Sequence, residues 1–109
     1  MDVVVRRFDV FLIALEPTIG SEINKSRPCL IVSPDEMNKH LATIIVAPMT
    51  TAPRNYPTRI PCRFKNTSGR VALDQLRTID KSRLIRKLGT IAPDTQRRVL
   101  DALAEMFTE

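Results

Sequence analysis

The sequence predicts a mainly β domain, a small and strongly bent antiparallel sheet or partly closed barrel with one C-terminal helix, in the α+β class. Short runs rich in Val, Ile and Leu recur between residues 9 and 91 and are bounded by Pro, Gly and Asn. A clear helical pattern begins only at Pro93. A chain of 109 residues is expected to form a single domain, residues 1–109, that folds without disulfides.

We predict six strands, at residues 9–15, 29–32, 41–46, 58–64, 70–76 and 84–91. The first is too short for a typical helix and suits a buried central strand. The third is rich in β-branched residues and should stop donating ladder hydrogen bonds at Pro48. The fourth alternates, with Ile60, Cys62 and Phe64 on one side, and Pro61 favours a place at the sheet edge.

Shorter signals fill the intervals between these strands. Residues 35–40 have the composition of a helical turn or loop, residues 80–83 predict a helical turn, and residues 50–57 and 66–69 predict a loop and a turn. Pro93 and Asp94 suit the first turn of the C-terminal helix. That helix should pack on the sheet or on another surface through one apolar stripe, Val99, Leu100, Leu103, Met106 and Phe107.

The composition indicates a globular protein with an anionic partner. Seventeen Lys and Arg against twelve Asp and Glu give a net charge of +5, and twelve of the seventeen are arginines. This bias favours nucleic acid or an acidic protein as partner. Cys29 and Cys62 lack metal-site spacing, so we expect no metal and two reduced cysteines in a cytoplasmic protein. Asp9 interrupts the N-terminal apolar run, which argues against a signal peptide or a membrane span.

One polar loop, residues 16–28, carries an unusual set of residues. Pro17 and Gly20 favour a turn, Glu22 adds a carboxylate, and Pro28 pushes Arg27 toward extended geometry at the start of a strand. A guanidinium held there suits recognition of a phosphate or carboxylate. Taken alone, Arg27 also fits an ordinary solvated arginine.

Four short strings occur in order along the chain. They are Leu-Glu-Pro-Thr-x-Gly-Ser-Glu at 15–22, Arg-Pro at 27–28, Ala-Pro-Met-Thr-Thr at 47–51 and Leu-Asp-Gln-x-Arg at 73–77. In order and spacing they closely resemble the MazF/PemK/Kid family of toxin endoribonucleases, over residues 8–107. The resemblance implies an SH3-like barrel that forms a homodimer.

The same resemblance implies the toxin of a type II toxin–antitoxin system, neutralised by a cognate antitoxin protein. Such a toxin is a sequence-specific, metal-independent endoribonuclease that cleaves single-stranded RNA, chiefly mRNA, and thereby inhibits translation and growth. The 2′-hydroxyl of the RNA attacks, which leaves a 2′,3′-cyclic phosphate and a 5′-hydroxyl. The expected protein has no cofactor and no membrane association, and acts in the cytoplasm.

In the family, the arginine of the Arg-Pro pair and the first threonine after the third strand are catalytic, and Arg27 and Thr50 match them. From the residues alone, Thr50 also suits a bond to the local backbone. Glu22 is a further catalytic candidate and, like Asp74, either orients Arg27 or is an ordinary carboxylate. The expected substrate-binding residues are Thr18, Gly20, Ser21, Thr51, Arg54, Asp74, Gln75 and Arg77.

The chain departs from the family at three places. Some relatives, Kid among them, have an arginine where this chain has Ala72 and a histidine where it has Ser21, so mechanisms that use those groups do not apply. Many members have Gly-Asp where this chain has Phe8-Asp9. His40 lies in a polar turn and is expected at the surface, so a histidine acid–base pair is not available.

We expect the substrate cleft between the loops at 16–27 and 50–57, with arginines 54, 59, 77 and 86 nearby. Because the chain has one tyrosine, base stacking should be sparse, and hydrogen bonds and shape should give selectivity for unpaired nucleotides. Two other function classes stay open on the same fold. One is a protein-targeting poison such as the gyrase inhibitor CcdB, and the other is a catalytically silent RNA-binding module.

Overall fold

The computed structural model describes residues 4–15 and 25–109. This part of the chain forms an antiparallel sheet whose strands are β1 (Asp9–Ala14), β2 (Ser26–Ile31), β3 (Thr43–Thr50), β4 (Arg59–Phe64), β5 (Thr67–Ala72), β6 (Arg77–Asp80) and β7 (Leu84–Thr90). The order across the sheet is β4-β5-β3-β2-β1-β7, and β6 also pairs with β3. The prediction of a mainly β, strongly bent antiparallel fold is confirmed.

The sheet bends at strand β3, which pairs with three other strands. It pairs with β2 along one side, while on the other side its first half pairs with β6 and its last two residues pair with β5. The strand runs four residues beyond the predicted end at Val46. Pro48 is tolerated because it pairs with Cys29 on one side and falls, on the other, between the last partner of β6 and the first partner of β5.

The single strand predicted at 70–76 is wrong. Strand β5 ends at Ala72, a 3-10 turn at Leu73–Gln75 follows, and the unpredicted strand β6 begins at Arg77. Leu73 is fully buried and its amide donates to the carbonyl of Thr58 at 2.9 Å. The chain therefore turns inward at Leu73 before it rejoins β3.

The turn between β4 and β5 lies earlier than predicted. Lys65 and Asn66 have φ values of 48° and 64°, so these two residues form the tight reversal of the hairpin. Gly69, which the sequence places in the turn, instead lies within β5 opposite Cys62. Pro61 lies on β4 at the end of the strand order, as predicted for an edge strand.

Two α-helices complete the described chain, α1 (Asp35–His40) and α2 (Pro93–Met106). Helix α2 begins at Pro93 as predicted and packs its stripe on the core of Val10, Leu30 and Val71, with Val99 fully buried. The stripe is thus largely used within the molecule, although Phe107 is 75% exposed. Among the described residues, no helix has the length and apolar character needed to cross a membrane.

Phe8 and Asp9 form the turn that enters β1. Phe8 takes a φ of 75°, a conformation that favours glycine, the residue that the family resemblance leads one to expect there. The buried Asp9 carboxylate accepts from the amide of Arg6 at 3.0 Å and from the hydroxyl of Thr90 at 3.2 Å. The turn therefore persists without the glycine.

Candidate active site

A cleft of about 270 Å³ brings Arg27 and Thr50 together. Arg27 lies near the start of β2 and Thr50 lies at the end of β3, so two residues that are distant in sequence line the same cleft. Met49, Cys62 and Phe64 supply apolar surface to the same cleft. Its polar lining is cationic and hydroxylic, from Lys65, Arg70, Thr51 and Thr67 besides the first two residues.

Arg27 is half-buried on β2, where it pairs with Ile13 of the central strand β1. The backbone carbonyl of Arg27 accepts from the thiol of Cys29 at 3.5 Å. Burial raises the pKa of this thiol to about 12, against the opposing effect of Arg77 and Arg27, so Cys29 stays protonated and acts as a donor. Cys29 therefore supports the backbone that presents Arg27 rather than acting as a nucleophile.

Thr50 is 9% exposed, and its hydroxyl accepts from the amide of Ala52 at 3.1 Å. This is the local backbone bond that the sequence offered as one interpretation of Thr50. A hydroxyl also has one hydrogen to donate, and among the described residues the Thr50 hydroxyl donates to none. The Ala52 bond therefore orients the oxygen and leaves its hydrogen for a group in the cleft.

Asp74 is held by Arg59, which is not the partner that the sequence suggested. The guanidinium of Arg59 donates to both carboxylate oxygens, at 2.6 and 3.0 Å, and lies over the ring of Tyr56. These hydrogen bonds lower the pKa of Asp74 and raise that of Arg59. The pair links β4 to the 3-10 turn at Leu73–Gln75. In the structure the partner of Asp74 is therefore Arg59 rather than Arg27.

Arg77 also has a structural contact. Its guanidinium donates at 2.8 Å to the carbonyl of Leu15, the residue just before segment 16–24, and Arg83 donates at 3.2 Å to Ala14. These bonds hold the end of β1 in place. Gln75 is half-buried in its 3-10 turn, and Thr51 lines the cleft.

Arg54 and Arg86 are exposed, and neither is among the described residues that line this cleft. His40 is exposed as predicted, 3.3 Å from Glu36. The candidates Thr18, Gly20, Ser21 and Glu22 lie outside the described residues, so their assignments stay predictions from the sequence. Within the described ranges, no group of three or more His, Cys, Asp or Glu is arranged to hold a metal ion.

The sequence reasoning missed Phe64, Lys65, Thr67, Gly69 and Arg70 as lining residues. All lie on the β4–β5 hairpin, for which the sequence analysis predicts strands and a turn but no role in the site. The alternation of the two strands places Phe64, Thr67 and Gly69 on one face, but it gives no signal for Lys65 or Arg70. Phe64 adds an aromatic residue to the lining, one that the expectation of sparse stacking did not consider.

The fold agrees with the comparisons to known proteins. Residues 6–107 match the family described as PemK-like, MazF-like toxin of type II toxin-antitoxin system. The chain belongs to this family.

Among curated MazF relatives, the endoribonuclease MazF of Staphylococcus epidermidis is 35% identical over 105 residues, which cover 91% of this chain and 88% of the relative. The crystal structure of MazF from Deinococcus radiodurans superposes with a TM-score of 0.84 at 25% identity, covering 96% of this chain and 97% of the other. A mycobacterial endoribonuclease in complex with its cognate antitoxin superposes with a TM-score of 0.79 at 28% identity, covering 93% and 92%.

Proposed function

We propose that this MazF-like chain is a toxin that cleaves single-stranded RNA, chiefly mRNA, at specific sequences and so inhibits translation and growth. The observation that carries the proposal is the joint presence of Arg27 and Thr50 in one small cleft whose described lining is cationic and hydroxylic. Such a lining favours a phosphodiester over a neutral ligand. The RNA-cleaving relative from Staphylococcus epidermidis gives independent support.

The chemistry requires attack of the 2′-oxygen on the adjacent phosphorus. The 2′-hydroxyl gives its proton to water or to a phosphate oxygen of the substrate, the bond from phosphorus to the 5′-oxygen breaks, and that oxygen takes up a proton from the same carriers. The products are a 2′,3′-cyclic phosphate and a 5′-hydroxyl. Arg27 is placed to stabilise the negative charge that builds on the phosphate oxygens, since its planar fork matches two of them. The hydroxyl of Thr50 donates a further hydrogen bond to the same group.

No carboxylate or imidazole lies among the described residues that line the cleft. An arginine titrates above about 12 and is a poor proton acceptor. The described residues therefore act chiefly by positioning and charge stabilisation. We assign Glu22 to the orientation of Arg27, as its match to the Gly-x-Glu string suggests, and Glu22→Gln tests that assignment.

A defined RNA digested in EDTA tests the reaction. Cleavage should persist, because the cationic lining supplies charge stabilisation, and mass spectrometry of the fragments should show the cyclic phosphate. A substrate with 2′-deoxyribose at the scissile nucleotide should resist, since the attacking group is missing. Duplex RNA should be cut poorly because its base edges are hidden. Efficient cutting of the 2′-deoxy substrate would refute the mechanism.

Two variants separate catalysis from folding. Arg27→Ala and Thr50→Ala should each lose about a hundredfold in rate, since removal of one donor to a developing oxyanion costs roughly 3 kcal/mol. Both should stay folded and should no longer arrest growth when expressed alone. Arg97→Ala removes an exposed helix charge and is the control. Lys87 is a poorer control, because its ammonium lies 3.3 Å from the buried Asp9 carboxylate.

An Arg27→Ala variant that cleaves within about twofold of the parent would remove Arg27 from the mechanism. A parent that arrests growth but cuts no RNA would instead favour a protein-targeting poison of the CcdB kind. If the folded parent protein binds RNA without cutting it, the result would favour the catalytically silent RNA-binding module. The three function classes thus give three different results in one set of assays.

We further propose a cytoplasmic homodimer that is neutralised by a cognate antitoxin, since the mycobacterial relative forms a complex with its own cognate antitoxin. An acidic, amphipathic antitoxin segment would suit a net charge of +5. Most of the α2 stripe packs inward, so the dimer contact must use apolar residues that stay exposed. Examples are Ile85, which is 52% exposed, and Phe107 at the end of the stripe, which is 75% exposed. Sedimentation at micromolar protein should give twice the 12.3 kDa chain mass.

A further inference from the structure

Arg70 lies between two cavities and has a buried donor without a partner. It lies on β5 directly opposite Thr50, and its Nε is buried with no hydrogen-bond partner among the described residues. An unpaired buried donor on a guanidinium is costly, so its presence calls for an explanation, and a bound anion is one that would satisfy it. No other buried side-chain donor or acceptor is in this state in the described part of the chain.

A second cavity adjoins the first. It has a volume of about 450 Å³ and lies between the β4–β5 hairpin and the start of α2. Cys62, Gly69 and Arg70 line both cavities, so Arg70 forms part of the wall between them. The second cavity adds two more arginines, Arg63 and Arg98.

We infer that Arg70 binds a backbone phosphate of the RNA next to the scissile one, and that Arg63 and Arg98 continue this track for the flanking nucleotides. This inference rests on the proposed RNA cleavage. The repeated anion of a nucleic acid matches a row of arginines that begins beside Arg27 and Thr50. One acidic side chain, Asp94, lines the second cavity and leaves its three arginines in excess.

RNA is favoured over an acidic protein segment because the row is continuous with the proposed cleavage site. A strand whose scissile phosphate lies at Arg27 must leave the cleft, and Arg70, which lines both cavities, lies where the two cavities adjoin. A contact to phosphate positions the strand without reading its sequence. Arg70 is thus expected to contribute to affinity for every cleavable RNA rather than to the choice of site.

The test uses the full-length protein and a ribo-oligonucleotide that the parent cuts, made with 2′-deoxyribose at the scissile nucleotide so that it binds intact. Its affinity is measured against KCl concentration. Loss of one phosphate contact on a single strand lowers the slope of log K against log[salt] by about 0.7. We expect this change for Arg70→Gln, with an affinity loss of about tenfold, and none for Arg97→Ala. Arg98→Ala should lower the slope further when combined with Arg70→Gln.

A second measurement locates the phosphate. Each linkage of the oligonucleotide is replaced in turn by a neutral methylphosphonate. One linkage beside the scissile position should weaken binding to the parent but not to Arg70→Gln, which is the coupling expected of a direct contact. Thermal unfolding of Arg70→Gln should match or exceed the parent, since the change removes a guanidinium with an unpaired buried donor.

Two results would overturn the inference while the proposed function stands. One is an unchanged salt slope for Arg70→Gln, and the other is the absence of any coupled linkage, in each case with a parent that binds and cuts RNA. A reduced affinity for an acidic peptide, with RNA affinity unchanged, would also overturn it and assign the row of arginines to a protein partner. A parent that neither binds nor cuts RNA would overturn both proposals.

Discussion

Gly69→Ala should impair catalysis by displacing Thr50, although Gly69 bears no chemistry itself. A Cβ built on Gly69 would lie 2.7 Å from the backbone carbonyl oxygen of Thr50, whereas ordinary contact begins at 3.4 Å. The neighbouring atom belongs to backbone, so β3 and β5 must separate by up to the difference, about 0.7 Å. That displacement acts on the residue whose hydroxyl is proposed to contact the reacting phosphate.

The magnitude follows from the displacement. A misplacement of about 1 Å in a catalytic group costs on the order of a hundredfold in rate, so a shift of this size should reduce kcat by about ten- to a hundredfold. Overpacking should also lower the free energy of unfolding by about 1–3 kcal/mol. The substrate KM should change less, because Arg27 and Arg70 keep their side chains.

The assay compares kcat and KM on the cleavable RNA with urea unfolding of the same preparation. Val99→Ala is the matched control, because Val99 is a fully buried residue of α2 that does not line the cleft. Deletion of its methyl groups should lower the free energy of unfolding by about 2 kcal/mol. Gly69→Ala should lose activity per folded molecule, and Val99→Ala should not. A kcat for Gly69→Ala within twofold of the parent would refute the positioning argument.

Three further predictions concern single side chains. Thr50→Ser should keep most of the activity and Thr50→Val should lose about a hundredfold, because only the first retains the hydroxyl; equal rates in a single-turnover cleavage assay would contradict this. Asp74→Asn should lower the free energy of unfolding by about 1 kcal/mol at pH 7 by weakening the bonds from Arg59, less than for a buried pair because the carboxylate is exposed. Arg59 lowers the pKa of Asp74, so the stabilisation from this pair is complete above the pKa of an aspartate in the unfolded chain. It is lost as the pH falls through the lower pKa of Asp74 in the folded protein. The free energies of unfolding of parent and variant, measured with urea, should therefore converge in acid. Cys29 should resist a thiol reagent at pH 8 until urea is added, because the thiol is buried and its pKa is about 12. Labelling is mapped by mass spectrometry, and rapid modification of Cys29 in the folded protein would show that the buried position is wrong.

Most strands could be predicted because their buried faces are long and apolar. Strand β6 was missed because Ile79 is its single buried residue and the others are polar or half-exposed. Its pairing with β3 depends on a turn at Leu73 that the local pattern does not mark. The hairpin turn was misplaced because Lys65 and Asn66 adopt positive φ while the nearby Gly69 does not need it.

Short motifs singled out Arg27 and Thr50, which line one cleft, and their catalytic roles stay predictions. The arginines were assigned less well. Arg59 and Arg77 were placed beside the substrate, yet Arg59 bonds Asp74 and Arg77 bonds Leu15, which is 62 positions away in sequence. Arg70 was overlooked because nothing in its neighbours shows that it faces Thr50 across the sheet. Charge counts identify an anionic partner, but the tertiary fold decides which guanidinium groups remain for it.

The curl of the sheet explains why the cleft lies at the end of β3. The pairing of β2 with β3 extends from Ile31 to Cys29 and stops before Arg27, while β3 continues for two more residues paired to β5. The neighbours of β3 therefore diverge at Thr50, with Arg27 on one side and Arg70 on the other. A flat sheet would continue the first pairing and close this space. The bend thus leaves Thr50 between strands that carry Arg27 and Arg70, and all three residues line one cleft, an arrangement suited to two consecutive phosphates.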